Sequence, residues 1–215
     1  MTRGHDGTRV GLGGLCVILD RRAAGRRDLL DVLQRAAAGG ARFFQYRAKG
    51  LATGEAWREA ARLRRAAADC GALFIVNDRC DLALAVEADG AHLGQAALPI
   101  RAARALLGPD RLIGASTHSA EQVLAATREG ADYVGFGPIF DTGTKPDHEP
   151  LVGLEGLRKV RPLTPLPLLA IGGIGLDRAG EVMACGADGI AVIAAVLGAP
   201  DIEASVRAFL AILRR

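Results

Sequence analysis

Short apolar segments alternate along this chain with segments of helical periodicity, and the pattern repeats roughly every 20–30 residues. Several of the apolar segments, such as LFIV at 73–76 and LLAI at 168–171, are apolar on both faces, which is typical of parallel strands covered by helices. Eight segments are predicted strands: Gly14–Asp20, Ala41–Arg47, Leu73–Asp78, Gly90–Gly94, Leu112–Thr117, Asp132–Pro138, Pro167–Gly173 and Gly189–Val196.

Helical patterns fill the intervals between these strands. They include Asp28–Ala38, Glu55–Ala68, a helix that opens at Ser119 with a capping box to Gln122, and Asp201–Leu213 at the end. Eight βα units in 215 residues predict an α/β fold, a single (β/α)8 TIM barrel spanning residues 1–215 as one domain. A doubly wound open sheet is the alternative, but no GxGxxG motif opens the first βα turn.

Composition and charge argue against several classes of function. A net charge of +3 is too small to indicate a nucleic-acid-binding protein, and no apolar run is long enough to span a membrane. The apolar run before Asp20 is interpreted as the approach to the first strand rather than as a signal peptide. The four cysteines form no CxxC pair, so we expect reduced thiols in a cytoplasmic protein. The sequence leaves the oligomeric state open.

Function in a (β/α)8 barrel lies on the residues that follow each strand. The second strand ends in Gln45, Arg47 and Lys49, which alternate and therefore point the same way. Three polar or cationic groups on one face of a buried strand need an anion or each other as partners. We favour a bound anion, and an internal salt bridge to a neighbouring strand is the alternative.

Further polar residues follow the third, fourth and fifth strands. Asn77 and Asp78 end the third strand, and Asp78 is suited either to bind Mg2+ or to cap the helix that starts near Cys80. His92, in the fourth strand, is more typical of a satisfied core histidine. After the fifth strand, Ser116 and His118 lie together, and an imidazole there is suited to proton transfer near neutral pH.

Two later segments are suited to binding phosphate. The long loop after the sixth strand carries two hydroxyls, a glycine and a lysine, which make an oxyanion clamp: Thr142, Gly143, Thr144 and Lys145. Its length is typical of an active-site lid. The Gly172–Gly173 pair after the seventh strand exposes backbone N–H groups at the usual phosphate site of such barrels, although paired glycines also occur in simple tight turns.

Taken together, these segments resemble the family that contains the thiamine-phosphate synthases and the thiazole tautomerases. The resemblance runs from the second strand to the eighth and rests on motifs in the same order: QYRAK, VNDRCDLALAVEADGAHLGQ, IGASTHS, ADYVGFGPIFDTGTKP, VGLEGL and AIGGI. It implies a (β/α)8 fold and a Mg2+-assisted reaction. A hydroxymethylpyrimidine diphosphate loses pyrophosphate, and the pyrimidine cation is captured by the nitrogen of a thiazole phosphate to give thiamine phosphate.

The resemblance also implies roles for individual residues. Gln45, Arg47 and Lys49 would meet the pyrophosphate, Asn77 would line the same subsite, and Asp78 would bind Mg2+. Ser116 would contact the leaving group or the pyrimidine. Phosphate and pyrophosphate would be held by Thr142, Thr144 and Lys145, and the thiazole phosphate by the backbone at Gly173. Arg47, Ser116 and Lys145 are the expected catalytic residues.

Two positions depart from the family pattern. Ala97 stands where the family usually has a second acidic Mg2+ ligand, and Ala194 stands where it usually has a serine near the phosphate. The loss of a carboxylate should weaken Mg2+ binding, because Mg2+ has few protein ligands to begin with; Asp141 is an alternative ligand. The departure at Ala97 keeps open a thiazole tautomerase with His118 as its proton shuttle, or a catalytically lapsed barrel that only binds precursors.

Overall fold

The structure is a computed structural model that describes residues 12–142 and 150–214. Its eight parallel strands pair in chain order, and β1 closes on β8 to complete the barrel. The strands are β1 (Gly14–Asp20), β2 (Phe43–Arg47), β3 (Leu73–Asn77), β4 (Gly90–Leu93), β5 (Leu112–Thr117), β6 (Tyr133–Phe136), β7 (Leu168–Ile171) and β8 (Gly189–Val192). The predicted (β/α)8 barrel is confirmed, and the open-sheet alternative is excluded.

Helices follow the strands and cover the outside of the barrel. They are α1 (Leu29–Ala38), α2 (Thr53–Asp69), α3 (Cys80–Ala85), α4 (Ile100–Leu107), α5 (Ala120–Glu129), α6 (Gly153–Val160), α7 (Leu176–Ala184), α8 (Ala194–Leu197) and α9 (Ile202–Leu213). The side chains of Asp28, Ser119 and Asp201 cap α1, α5 and α9, so those helices begin one residue after their capping residue. Among the described residues, no helix is long and apolar enough to cross a membrane.

The predicted bounds of the first seven strands differ from the observed ones by at most two residues, but the end of the eighth strand is wrong. The eighth strand was expected to run from Gly189 to Val196, but β8 ends at Val192 and a short helix, α8, begins at Ala194. The segment is apolar throughout, so its periodicity cannot distinguish a buried strand from a buried helix. Ala194 is therefore exposed at the start of α8 rather than part of the strand.

The interior of the barrel is filled by inward-facing side chains of alternating strand positions. This interior layer is apolar apart from one phenol and one thiol, and it consists of Cys16, Ile18, Phe43, Leu73, Ile75, Leu112, Tyr133, Leu169 and Ala191. All four cysteines are free thiols, as the sequence predicted. The layer fills the barrel below the C-terminal ends of the strands, which form the mouth of the barrel.

Candidate active site

The polar residues predicted at the strand ends continue the inward-facing rows of the barrel interior. On β2, Gln45 and Arg47 follow Phe43 at every second position, and on β3 Asn77 follows Ile75. The register places Asn77 beside His92 on β4, and Ser116 beside Gly135 on β6. The barrel therefore brings these groups together at its C-terminal mouth, where the active sites of this fold lie.

Arg47 is held by a buried carboxylate that ends β1. The guanidinium forms a hydrogen-bonded ion pair with Asp20 Oδ2, and Asp20 Oδ1 accepts the backbone N–H groups of Arg22 and Ala23, each at 2.9 Å. Asp20 is only 2% exposed. The salt bridge to a neighbouring strand considered for Arg47 is thus present, and it fixes the guanidinium at the mouth.

The other polar groups of β2 and β3 also contact one another. Gln45 Nε2 donates to Asn77 Oδ1 at 3.2 Å. Farther out, Lys49 Nζ lies 3.9 Å from Asp78 Oδ2, with the lysine side chain about half exposed. This arrangement, which we call the β2–β3 cluster (Gln45, Arg47, Lys49, Asn77 and Asp78), presents two cations, two amide groups and one carboxylate around one side of the mouth.

Asp78 adopts a left-handed backbone conformation, with φ of 60°, which aspartate tolerates better than most residues with a side chain. Its N–H donates to His92 O at 2.8 Å, and its Oδ1 accepts the N–H of Gly94 at 2.8 Å. The alternative role as a helix cap is wrong, because α3 has no side-chain cap. The strained turn directs the carboxylate across to the end of β4 instead.

Asp78 offers a single carboxylate as a candidate ligand for Mg2+: Oδ1 accepts the N–H of Gly94, and Oδ2 lies 3.9 Å from Lys49 Nζ. Within residues 12–142 and 150–214, no group of three or more His, Cys, Asp or Glu side chains could hold a metal ion. Ala97 lies in the turn that follows β4, where its N–H donates to Gly94 O at 3.0 Å. The donor set fits a Mg2+ ion that takes most of its oxygen ligands from a bound diphosphate and water.

Ser116 lies near the C-terminal end of β5, the strand that pairs with β4. Its Oγ is 2.9 Å from His92 Nε2, and its backbone O accepts from Gln95 Nε2 at 2.6 Å. His92 is a satisfied core histidine, as expected, because Nδ1 also hydrogen-bonds to the hydroxyl of Tyr133 at 3.0 Å. This arrangement, which we call the β4–β6 chain (His92, Ser116 and Tyr133), carries no formal charge when the imidazole is neutral.

His118 begins the segment that leads from β5 into α5. Its Nδ1 lies 2.5 Å from Gly137 O, and since a carbonyl only accepts, Nδ1 carries the proton in this contact. The backbone N–H of His118 donates to Gln122 Oε1 at 2.6 Å, while Ser119 Oγ accepts from Gln122 N at 3.3 Å. The capping box is thus confirmed for Ser119, with its glutamine reaching one residue farther back.

The loops after β6 and β7 lie side by side. Thr142 is half-buried, and its N–H donates to Asp141 Oδ1 at 2.9 Å, whereas Thr144 and Lys145 lie outside the described residues. Gly173 has φ of 63°, and a Cβ there would lie 2.4 Å from Asp141 O. Only glycine allows the two loops to approach this closely. The Gly172–Gly173 backbone therefore lies at the mouth, shortly before the beginning of α7.

Two site residues carried a weaker signal in the sequence. Asp20 ends the first predicted strand, and an acidic residue in line with an inward-facing row could have been matched to Arg47. Tyr133 belongs to the ADY motif, but its contact with His92 depends on strands that are 41 residues apart in the chain.

Comparison with known proteins agrees with this site. The family model described as thiamine monophosphate synthase matches residues 15–196. Thiamine-phosphate synthase from Moorella thermoacetica is 46% identical over 193 residues, covering 90% of this chain and 92% of the relative. The enzyme of the same name from Chloroflexus aurantiacus is also 46% identical over 193 residues, covering 90% of this chain and 89% of the relative.

The solved structures include a thiamine phosphate pyrophosphorylase from Pyrococcus furiosus. It superimposes with a TM-score of 0.85 at 41% identity and covers 94% of this chain and 95% of its own. Both the sequence matches and this structural match extend over nearly the whole barrel, including the strand ends that carry the polar residues. The chain therefore belongs to the family of the thiamine-phosphate synthases, and those synthases are transferases.

Proposed function

We propose that the protein condenses 4-amino-2-methyl-5-hydroxymethylpyrimidine diphosphate with 4-methyl-5-(2-phosphoethyl)thiazole. The products are thiamine phosphate and pyrophosphate. The observation that carries the proposal is the β2–β3 cluster, which gathers Arg47, Lys49 and two amide side chains at the mouth of a barrel of this family. Such a cluster is suited to an anion with several charges, as a departing pyrophosphate is.

The reaction breaks the bond between the pyrimidine methylene carbon and the diphosphate oxygen, which keeps the electron pair. Arg47 and Lys49 would stabilise the charge that develops on that oxygen and its neighbours. Gln45 and Asn77 would donate amide N–H groups to the same anion, and Ser116 would donate its hydroxyl from the opposite side. A bond from the methylene carbon to the thiazole nitrogen then forms, without a proton transfer.

The Mg2+ ion would be held by Asp78 and would neutralise part of the diphosphate charge. Thr142, Thr144 and Lys145 would hold the phosphate and the pyrophosphate. The backbone at Gly173 would bind the phosphate of the thiazole, next to the beginning of α7. Because the interior layer seals the barrel below, a cation formed at this depth would be shielded from water on that side.

We also infer that residues 1–215 form one domain and that the protein acts in the cytoplasm on small-molecule substrates. The described barrel elements, from β1 to α9, support the first inference. Four free thiols are consistent with a reducing compartment.

The direct test is to incubate the purified protein with both substrates and Mg2+ and to measure thiamine phosphate as fluorescent thiochrome. We expect turnover that requires Mg2+ and both substrates. Absence of product beside an active synthase control would contradict the proposal and would favour the tautomerase or the binding-only barrel.

Variants test the metal assignment within the same assay. Asp78→Asn should abolish most of the Mg2+-dependent turnover, whereas Asp81→Asn should keep it, because Asp81 lies on α3 in an exposed pair with Arg79. Ala97→Asp should lower the Mg2+ concentration for half-maximal turnover by about tenfold, the equivalent of about 1.4 kcal/mol. Unchanged Mg2+ dependence in Asp78→Asn would refute the assignment of this ligand.

A further inference from the structure

The β4–β6 chain crosses the barrel interior and ends at Ser116. The Tyr133 hydroxyl lies 3.0 Å from His92 Nδ1, and His92 Nε2 lies 2.9 Å from Ser116 Oγ. Tyr133 is 1% and His92 8% exposed. A buried imidazole thus connects the sealed interior layer with a hydroxyl that faces the mouth, and neither buried residue has a role in the reaction described so far.

Two glycines provide the space for this connection. Gly114 on β5 is in register with His92 on one side and Tyr133 on the other, and a Cβ there would lie 2.5 Å from His92 Nδ1 and 2.2 Å from Tyr133 Cζ. A Cβ at Gly135 would lie 3.2 Å from His92 Cε1. Any side chain at Gly114 would therefore separate or displace the two rings, so the hydrogen bond between β4 and β6 depends on that glycine.

The surroundings of Tyr133 set the direction of the hydrogen bonds. Within the part of the chain that the structure describes, the Tyr133 hydroxyl has His92 Nδ1 as its hydrogen-bond partner. Burial raises the pKa of Tyr133 well above its usual value, so the phenol keeps its proton. Because an unsatisfied buried donor is costly, the O–H donates to Nδ1, and the single proton of a neutral imidazole then resides on Nε2.

This direction determines what Ser116 can do. Nε2–H donates to Ser116 Oγ, which therefore accepts from inside the barrel and has its own proton free to donate toward the mouth. With the opposite tautomer, Ser116 would donate to Nε2 and could offer the mouth only an acceptor. An anionic leaving group needs donors rather than acceptors, so the tautomer decides whether Ser116 assists the reaction.

We propose that Tyr133 and His92 are positioning residues that hold Ser116 as a hydrogen-bond donor to the pyrimidine diphosphate. The proposal rests on the proposed function, because it assigns Ser116 a task in that reaction. The Tyr133 hydroxyl sets which nitrogen of His92 carries the proton. The His92 Nε2–H in turn makes Ser116 Oγ an acceptor toward the interior, so that the serine proton points toward the mouth.

The tautomer can be measured in the protein without substrate. In 15N-histidine-labelled protein, two-bond 1H–15N correlation spectra distinguish an Nε2–H from an Nδ1–H imidazole, and His92→Gln identifies the signal. We expect His92 to be the Nε2–H form in the wild type and to lose this preference in Tyr133→Phe. Tyr46→Phe is the matched control, because Tyr46 is also buried but hydrogen-bonds to Glu59 outside the barrel.

Kinetics give an independent measurement. Tyr133→Phe should lower kcat on the order of tenfold while KM for the thiazole phosphate stays unchanged, and Ser116→Ala should abolish any further effect of Tyr133→Phe in the double variant. An Nδ1–H imidazole in the wild type, or losses that simply multiply in the double variant, would overturn the proposal. If the wild type made no thiamine phosphate, the proposed function would fail, and the spectra alone would still decide the tautomer.

Discussion

The two sides of the barrel mouth solve the problem of burying polar groups in different ways. On the side of β1–β3, the charged guanidinium of Arg47 is balanced by the buried carboxylate of Asp20. On the side of β4–β6, neutral side chains satisfy each other through one hydrogen-bonded chain, for which Gly114 leaves the room. The polar contacts on the first side depend on charge balance. Those on the second side depend on the absence of a side chain at Gly114.

This difference predicts different consequences of mutation. Removing one member of a buried ion pair leaves an uncompensated charge, which is strongly destabilising. In the neutral chain, losing a hydroxyl costs one hydrogen bond, whereas adding a methyl group forces two rigid rings apart. On the β1–β3 side, the loss of stability should therefore depend mainly on whether a mutation changes charge. On the β4–β6 side, it should depend mainly on whether a mutation adds side-chain volume.

The largest effect is expected from breaking the charge balance. Arg47→Met should lower the free energy of unfolding by about 3–5 kcal/mol, because Asp20 would be left buried without its partner. The double variant Asp20→Asn/Arg47→Met should recover much of that loss, since the asparagine carbonyl can still accept from Arg22 and Ala23. Urea denaturation measures both.

Arg62→Met is the control for this experiment, because the pair of Arg62 with Asp28 is exposed and should contribute little. If Arg47→Met and Asp20→Asn/Arg47→Met lost equal amounts of unfolding free energy, the unpaired charge of Asp20 would not be the cause of the destabilisation.

A smaller effect should follow from filling the space on the neutral side. Gly114→Ala should lower the free energy of unfolding by about 1–3 kcal/mol, because its Cβ would meet the Tyr133 and His92 rings. Gly180→Ala is the control: it is exposed within α7, its Cβ would be 3.7 Å from Ile212 Cγ2, and it should be stabilising by roughly 0.5–1 kcal/mol. If Gly114→Ala were as stable as the wild type, the argument from volume would be wrong.

The smallest effect concerns the interior layer beneath both sides. Burial raises the pKa of the Cys16 thiol far above its ordinary value of 9.0, so the folded state keeps a proton that the unfolded state releases. This contribution to stability is complete below about pH 9 and is lost as pH rises, by about 1.4 kcal/mol per pH unit. Between about pH 9 and pH 10, the slope of unfolding free energy against pH should be smaller in Cys16→Ala. An unchanged slope would contradict the assignment of this pH dependence to Cys16.

Much of the fold and part of the site could be predicted from residues near each other in the chain. Apolar segments such as Leu112–Thr117 have the length and composition of buried strands, and the predicted and observed bounds agree there. The polar endings of β2 and β3 were predicted in the same way, because alternation within one strand is local. The end of β8 at Val192 could not be predicted, because a continuous apolar run has the same composition in a strand and in a helix.

The sequence by itself therefore determined the barrel, the family and the candidate residues of the β2–β3 cluster, because each depends on spacing within one short segment. Only the tertiary structure decided which groups are partners. Asp20 meets Arg47 from 27 residues away, and His92 meets Tyr133 from 41 residues away across a glycine on the strand between them. The physical reason is that strand register and barrel closure, rather than distance along the chain, set the contacts of inward-facing side chains.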